Sequence, residues 1–275
     1  MGHIQFLNCL PLFWGLAKTG SLGDLELEKG TPEVLADALI RGALDISPIS
    51  MMELLRHADD LVVLPRFGIG SDGQVMSCVI VSRVPLEQLD GAPVALGTTS
   101  RTSVKLAELL LADVVGVHPR YFASPPDLHA MLAQAPAAVL IGDAALRVAL
   151  YDAPALGLQV HDLGLMWKEW TGLPFVFAAI AARREFAERH PDLVRLVHAN
   201  LLEAQQLGLA EVKQVCAQAA RWEDFSSALL HTYYTKALNF ELGERQLAGI
   251  NEFARRLGPE RGGFRTTPRL RLFGA

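Results

Sequence analysis

The sequence predicts an α/β protein with two lobes around a cleft. Three observations carry this. A chain of 275 residues exceeds one minimal core and suits two lobes of roughly 100–150 residues each. Strand-like and helix-like segments alternate through residue 182, the pattern of parallel sheets covered by helices. Polar loops follow several strands, and ligands of open α/β sheets sit beyond the carboxyl ends of strands.

Residues 3–7 read as a first strand, turned by Asn8 to Pro11 into a helix over 12–18. Residues 25–29 alternate as a second strand. Thr31, Pro32 and Glu33 are an N-cap, a first helical position and an acidic first turn, so a helix runs to about Arg41 and stops at Gly42. Residues 44–49 form a strand, and Ser50 caps a helix over 51–57. Strands follow at 61–65 and 76–82, parted by the glycine-rich segment 68–73. The next elements are a short helix at 85–89, a strand at 93–97 and a helix at 104–112. They are followed by a strand at 120–123, a helix at 126–134, a strand at 137–141 and a helix at 144–150. An irregular stretch with Trp167 and Trp170 starts at His161, and 175–182 is a strand. Helical periodicity then takes over at 185–206, 211–221, 226–234 and 243–257. This order predicts a discontinuous first lobe, residues 1–83 plus 179–275, with 84–178 inserted as the second.

Composition excludes several classes. The net charge of −5 provides no basic field for nucleic acid, so an anionic substrate needs a local positive site. The three cysteines, Cys9, Cys78 and Cys216, form no CxxC pair, which argues against zinc and for a reducing compartment. The start of the chain has no secretion signal and no stretch long enough to span a membrane. The expectation is a cytoplasmic protein.

The strongest local signal is the run Thr98, Thr99, Ser100, Arg101, Thr102, Ser103 between a strand and a helix. Free N–H groups at a helix N-terminus favour an anion, and hydroxyls add donors. One cap needs one hydroxyl, and five stand here. Ser50 offers a second such site or a plain cap. Asn8 makes an Asx turn or faces the cleft. Ser77, within an apolar strand, needs a partner if buried. Gly142 and Asp143 open a helix, with Asp143 either its cap or a cleft-side base. His3 is a core residue or a cleft residue. Trp167, Trp170 and Phe175 pack the hinge or wall a ring pocket. The chain contains neither a P-loop nor a GxSxG or HExxH pattern.

Five segments then occur in a telling order: residues 5–12, 73–79, 99–103, 140–146, and 162–178 with its Thr171 to Ala178 run. Together with Leu238, Asn239 and Phe240 they resemble the chorismate dehydratases of the futalosine route to menaquinone, over nearly the whole chain. The resemblance implies a type II periplasmic-binding-protein-like fold in a cytoplasmic enzyme without metal or organic cofactor. It implies chorismate as the small-molecule substrate, Asn8 and Ser77 as the catalytic pair, and the 99–103 turn as the carboxylate anchor. Ser50, Gly142 and Asp143 complete the expected binding set. One departure is the run Ala179, Ile180, Ala181, where relatives often carry Trp. Two other classes compete: a binding protein for a small carboxylate, and the naphthoate-forming sister branch. The sister enzyme is expected to carry a histidine near positions 142–143, and none stands there.

Overall fold

Strands from both ends of the chain share one sheet, because β-pairing joins residues 46–71 to residues 175–183. In the computed structural model, which describes residues 1–274, the elements of the first part of lobe one are β1 (Gly2–His3), α1 (Leu10–Thr19), β2 (Glu28–Lys29), α2 (Pro32–Ile40), β3 (Ile46–Ser50), α3 (Met51–Arg56) and β4 (Leu61–Ser71). Lobe two follows with β5 (Cys78–Ser82), β6 (Pro93–Gly97), α4 (Thr102–Leu110), β7 (Arg120–Ser124), α5 (Leu128–Leu132), β8 (Ala137–Ile141), α6 (Gly142–Arg147), α7 (Ala153–Ala155), β9 (Gln159–Asp162) and α8 (Leu163–Thr171). The chain returns to lobe one through β10 (Phe175–Arg183) and then α9 (Arg184–Arg189), α10 (Pro191–Ala210), α11 (Val212–Ala219), α12 (Ser227–Thr232) and α13 (Glu244–Gly262).

The sheets are not wholly parallel. Lobe two has the order β7-β6-β8-β5-β9, with β7, β6 and β8 parallel and β5 antiparallel to both its neighbours. In lobe one β10 runs antiparallel between β3 and β4, and β1 pairs in parallel with β2. β1 lies against β3 so closely that a Cβ at Gly2 would collide with Ser47 Oγ. In each lobe, the antiparallel strand between β8 and β9 or between β3 and β4 is the one that arrives from the other lobe. Hydrophobic periodicity carries no strand direction, so alternation alone did not reveal it.

Strand pairing also moves the lobe boundaries. β5 pairs with β8 and β9, so residues 78–82 belong to the second sheet rather than to 1–83. β10 pairs with β3 and β4 from Phe175 onward, ahead of residue 179. The crossovers are residues 72–77 and 163–174, and the second of these is a regular helix, not an irregular stretch. Asp162 caps that helix by accepting from Leu165 N–H at 3.0 Å.

Local chemistry explains the elements that position the site. Thr31 caps α2 by accepting from Val34 N–H, with Pro32 at the first helical position, as its sequence predicts. The first strand is shorter than expected. Leu7–Cys9 is a 3₁₀ turn whose polar backbone is bound elsewhere: Leu7 N–H by Asp143 and Leu7 C=O by Tyr234 O–H. The free edge of β4 is covered by the tail, where Gly70 and Asn239 exchange two backbone hydrogen bonds of 2.8 Å. Among the described residues, no helix is long and apolar enough to cross a membrane.

Candidate functional site

A cavity opens between the lobes at the strand ends. Lobe one contributes Asn8, Ser50, Ile69, Phe177 and the segment around Phe6; lobe two contributes Thr99, Ser100, Thr102, Ser103, Ile141 and Gly142. Ser77, on the first crossover, also lines it. About 580 Å³ between the lobes is free of protein atoms, the open mouth included. Eight of the ten expected site residues therefore meet at one place: Asn8, Ser50, Ser77, Thr99, Ser100, Thr102, Ser103 and Gly142. Arg101 and Asp143 are not among its lining residues.

The 98–103 turn aims the N-terminus of α4 at the cavity. Thr98 N–H is held by Ser124 C=O at 3.0 Å, and Ser100 Oγ accepts from Ser103 N–H at 3.0 Å. Among the described residues, no lysine or arginine lines the cavity. The end of the nine-residue α4 and the neighbouring hydroxyls are the hydrogen-bond donors it presents.

Two of the expected residues are spent on joining the lobes. Thr102 Oγ1 accepts from Met52 N–H at 2.9 Å, so a hydroxyl from lobe two caps the first turn of α3 in lobe one. Ser50 accordingly stands at the N-cap of α3 without a side-chain cap bond, so of the two readings open for it the plain cap fails, and it lines the cavity. Arg101 turns out of the cavity and pairs with buried Glu53 at 2.9 Å and with Asp37 at 3.2 Å. It is a cross-cleft tie rather than a substrate ligand. The two acids on α2 and α3 draw the guanidinium away.

Asp143 does not cap its helix either. The N-cap of α6 is Ile141, and the Asp143 carboxylate reaches across to Leu7 N–H at 3.1 and 3.3 Å. Burial raises its pKa to about 6, the Leu7 amide opposes that shift, and the Glu223 charge adds to it. It faces a neighbouring recess with His3, Phe13 and Trp222 rather than the cavity itself. His3 stacks on Phe13 at 3.7 Å. Gly142 has a φ of +68°, a left-handed conformation that suits glycine, and the Phe6 ring would lie 3.4 Å from a Cβ there.

Ser77 is buried. Its Oγ accepts from Tyr233 O–H at 2.8 Å, and its C=O accepts from Gly142 N–H at 2.8 Å. Asn8 keeps its carboxamide beside Cys9, with Cys9 Sγ 3.3 Å from Oδ1. Cys9 and Cys78 also line the cavity, and burial pushes both thiols up to about 12, so neither supplies a thiolate. Sequence reasoning missed Tyr233 and Met52. The adjacent Tyr233 and Tyr234 in an apolar helix were the available signal, because buried phenols need partners. Trp167 is fully buried against Trp170, Phe175 and Phe253, which assigns this cluster to the hinge. Ile180 is buried on β10 and is not among the residues that line the cavity.

Comparison with known proteins agrees with this geometry. The family described as "Menaquinone biosynthesis" matches residues 1–258. The chain is 32% identical to a chorismate dehydratase of Thermus thermophilus over 270 residues, 94% of each protein. It is 30% identical over 222 residues to a 1,4-dihydroxy-6-naphtoate synthase of the same organism, covering 77% of this chain and 75% of that one. Among solved structures, an Archaeoglobus fulgidus protein superposes with a TM-score of 0.73 at 18% identity, covering 93% of this chain and 95% of that one. The periplasmic aliphatic sulphonate binding protein of Escherichia coli does so with a TM-score of 0.65 at 18% identity, covering 99% and 96%. The fold is that of the periplasmic binding proteins, two lobes around a cleft.

Proposed function

The chain belongs to the menaquinone-biosynthesis family, and we propose from that membership that it is a cytoplasmic hydro-lyase converting chorismate to 3-[(1-carboxyvinyl)oxy]benzoate and water. The observation that carries the mechanism is the composition of the cavity. Among the described residues its lining offers hydroxyls, one carboxamide and a helix N-terminus, with no carboxylate, imidazole or ammonium group. The relative that acts as a naphthoate synthase belongs to a branch expected to use a histidine near positions 142–143, and no histidine lines this cavity.

Chorismate carries a ring carboxylate and an enolpyruvyl carboxylate. The proton on C3 is conjugated through the ring diene to the ring carboxylate, so its removal builds enolate charge there. Expulsion of the C4 hydroxyl then makes the ring aromatic. The α4 N-terminus with Thr99, Ser100 and Ser103 is the donor set for the carboxylate on which charge grows. Among the described residues the lining holds no carboxylate or imidazole that could act as base, and the enolpyruvyl carboxylate of the substrate lies near C3. That carboxylate takes the proton, which leaves with the C4 hydroxyl as water. Asn8 and Ser77 hold this carboxylate and assist departure of the hydroxyl. Ser50 and Gly142 complete the walls.

The test is direct. Purified protein is incubated with chorismate while loss of substrate and appearance of the aromatic product are followed. Turnover supports the reading. Binding of chorismate without turnover makes the chain a small-carboxylate binding protein and overturns it.

A further inference from the structure

We propose that Tyr233 is a positioning residue that directs the Ser77 hydroxyl proton into the cavity; the inference rests on the role given to Ser77 above. Tyr233 sits on the turn Tyr233–Ala237 after α12, fully buried, in the helical tail of lobe one. Ser77 sits on the crossover into lobe two. Their hydroxyl oxygens are 2.8 Å apart, and this contact ties the tail to the cavity wall.

Two hydroxyls share one hydrogen bond, so one donates and the other keeps its proton for a second partner. The surroundings decide which. Among the described residues the Tyr233 hydroxyl has no other partner, and Tyr233 does not line the cavity. If it accepted from Ser77, its own proton would be buried without an acceptor, which folded proteins avoid. Burial also holds the phenol well above its usual pKa, so it remains a neutral donor. Ser77 has a different outlook. Among the described residues its other acceptors are Val75 C=O at 3.5 Å, long for an O–H···O bond, and the Cys78 sulfur, a weak acceptor, while Ser77 itself lines the cavity. With Tyr233 donating, the Ser77 proton is left for a substrate oxygen. Accepting a hydrogen bond also polarises the serine O–H and strengthens its own donation. Tyr234 beside it does an analogous job for the backbone, donating to Leu7 C=O at 2.9 Å next to Asn8. The paired tyrosines therefore support both members of the catalytic pair from behind.

A double-mutant cycle on chorismate turnover tests this. Tyr233→Phe should lower kcat about tenfold with KM changed less than about twofold, the size expected for one lost transition-state hydrogen bond. In a Ser77→Ala background the same change should alter kcat by less than about twofold, because the group it orients is gone. Equal falls in both backgrounds, or parental kcat for Tyr233→Phe, would overturn the proposal. Parental kcat for Ser77→Ala alone would remove Ser77 from the reaction, and that failure of the underlying reading shows in its own arm. Packing is separated from donation by two isosteric residues at position 233. 4-Aminophenylalanine keeps an N–H donor and should retain kcat within about threefold, whereas 4-fluorophenylalanine, which has none, should match the Phe variant. Equal kcat for these two would also sink the idea.

Discussion

Asp162 accepts the backbone N–H of Met76 at 2.7 Å, and Met76 is held at a φ of +64°. The same carboxylate takes Val75 N–H at 3.0 Å and caps α8 through Leu165 N–H. One buried acid thus fixes both crossovers. A left-handed conformation is unfavourable for methionine, and here it sets the direction in which the chain enters Ser77.

Asp162→Ala should therefore destabilise the protein by about 3–5 kcal/mol in urea unfolding, from a lost helix cap plus two buried amides left without an acceptor. Asp162→Asn should fold. Its amide nitrogen replaces one oxygen and faces a backbone N–H, so kcat should fall while ligand affinity changes less. Parental stability for the alanine variant would show that the crossovers are held some other way.

Asn8→Ala and Ser77→Ala should each lower kcat sharply, on the order of 100-fold, because a misplacement of about 1 Å of the carboxylate that takes the proton is enough for that. Steady-state kinetics with chorismate measures it. Parental kcat for both variants would remove this pair from the mechanism.

The parts of this site legible in the sequence are those where chemistry lies in consecutive residues. The 98–103 run announced itself because five hydroxyls between a strand and a helix exceed any capping need. What stayed hidden depends on residues far apart in the chain. Nothing near Thr102 points to Met52, fifty residues earlier, and nothing near Ser77 points to Tyr233. Arg101 read as an anion ligand because its competitors, Glu53 and Asp37, lie on other helices. Strand alternation placed 78–82 and 175–182 well enough, but only pairing partners assign a strand to a lobe. The helix at 163–171 was obscured by its two tryptophans, although Asp162 before an apolar run is an N-cap signature.

Arg101→Ala should act on closure rather than on chemistry. It breaks a tie between α4 and the helices carrying Glu53 and Asp37, and leaves Glu53 with Arg56 at 2.8 Å. The surviving pair limits the stability loss to about 1–2 kcal/mol. KM should rise several-fold with kcat close to parental, since the closed arrangement is less populated in the free protein. Arg101→Lys should fall between, because an ammonium cannot reach two acids as a guanidinium does. A collapse of kcat at unchanged KM would instead return Arg101 to the substrate.

Asp143 decides the identity of the base. Its carboxylate holds Leu7 N–H and so the turn that carries Asn8. Asparagine keeps an oxygen for that amide, so Asp143→Asn should fold and retain much of its activity, while Asp143→Ala should lose more by loosening the turn. The pH dependence gives an independent reading. Burial raises the folded-state pKa from the ordinary 3.8 to about 6. A raised pKa means that the folded state binds the proton more tightly. The stabilisation from this group is complete below the unfolded value and is lost as pH rises through about 6. The asparagine variant has no such titration. Its unfolding free energy should therefore gain on that of the parent between about pH 4 and pH 6.5 and then hold a constant offset, as urea melts across that range would show. In kinetics, the parent should lack a limb near pH 6 that the asparagine variant abolishes. If Asp143→Asn folds, binds the aromatic product as well as the parent and turns over no chorismate, Asp143 is the base, and the substrate carboxylate is not.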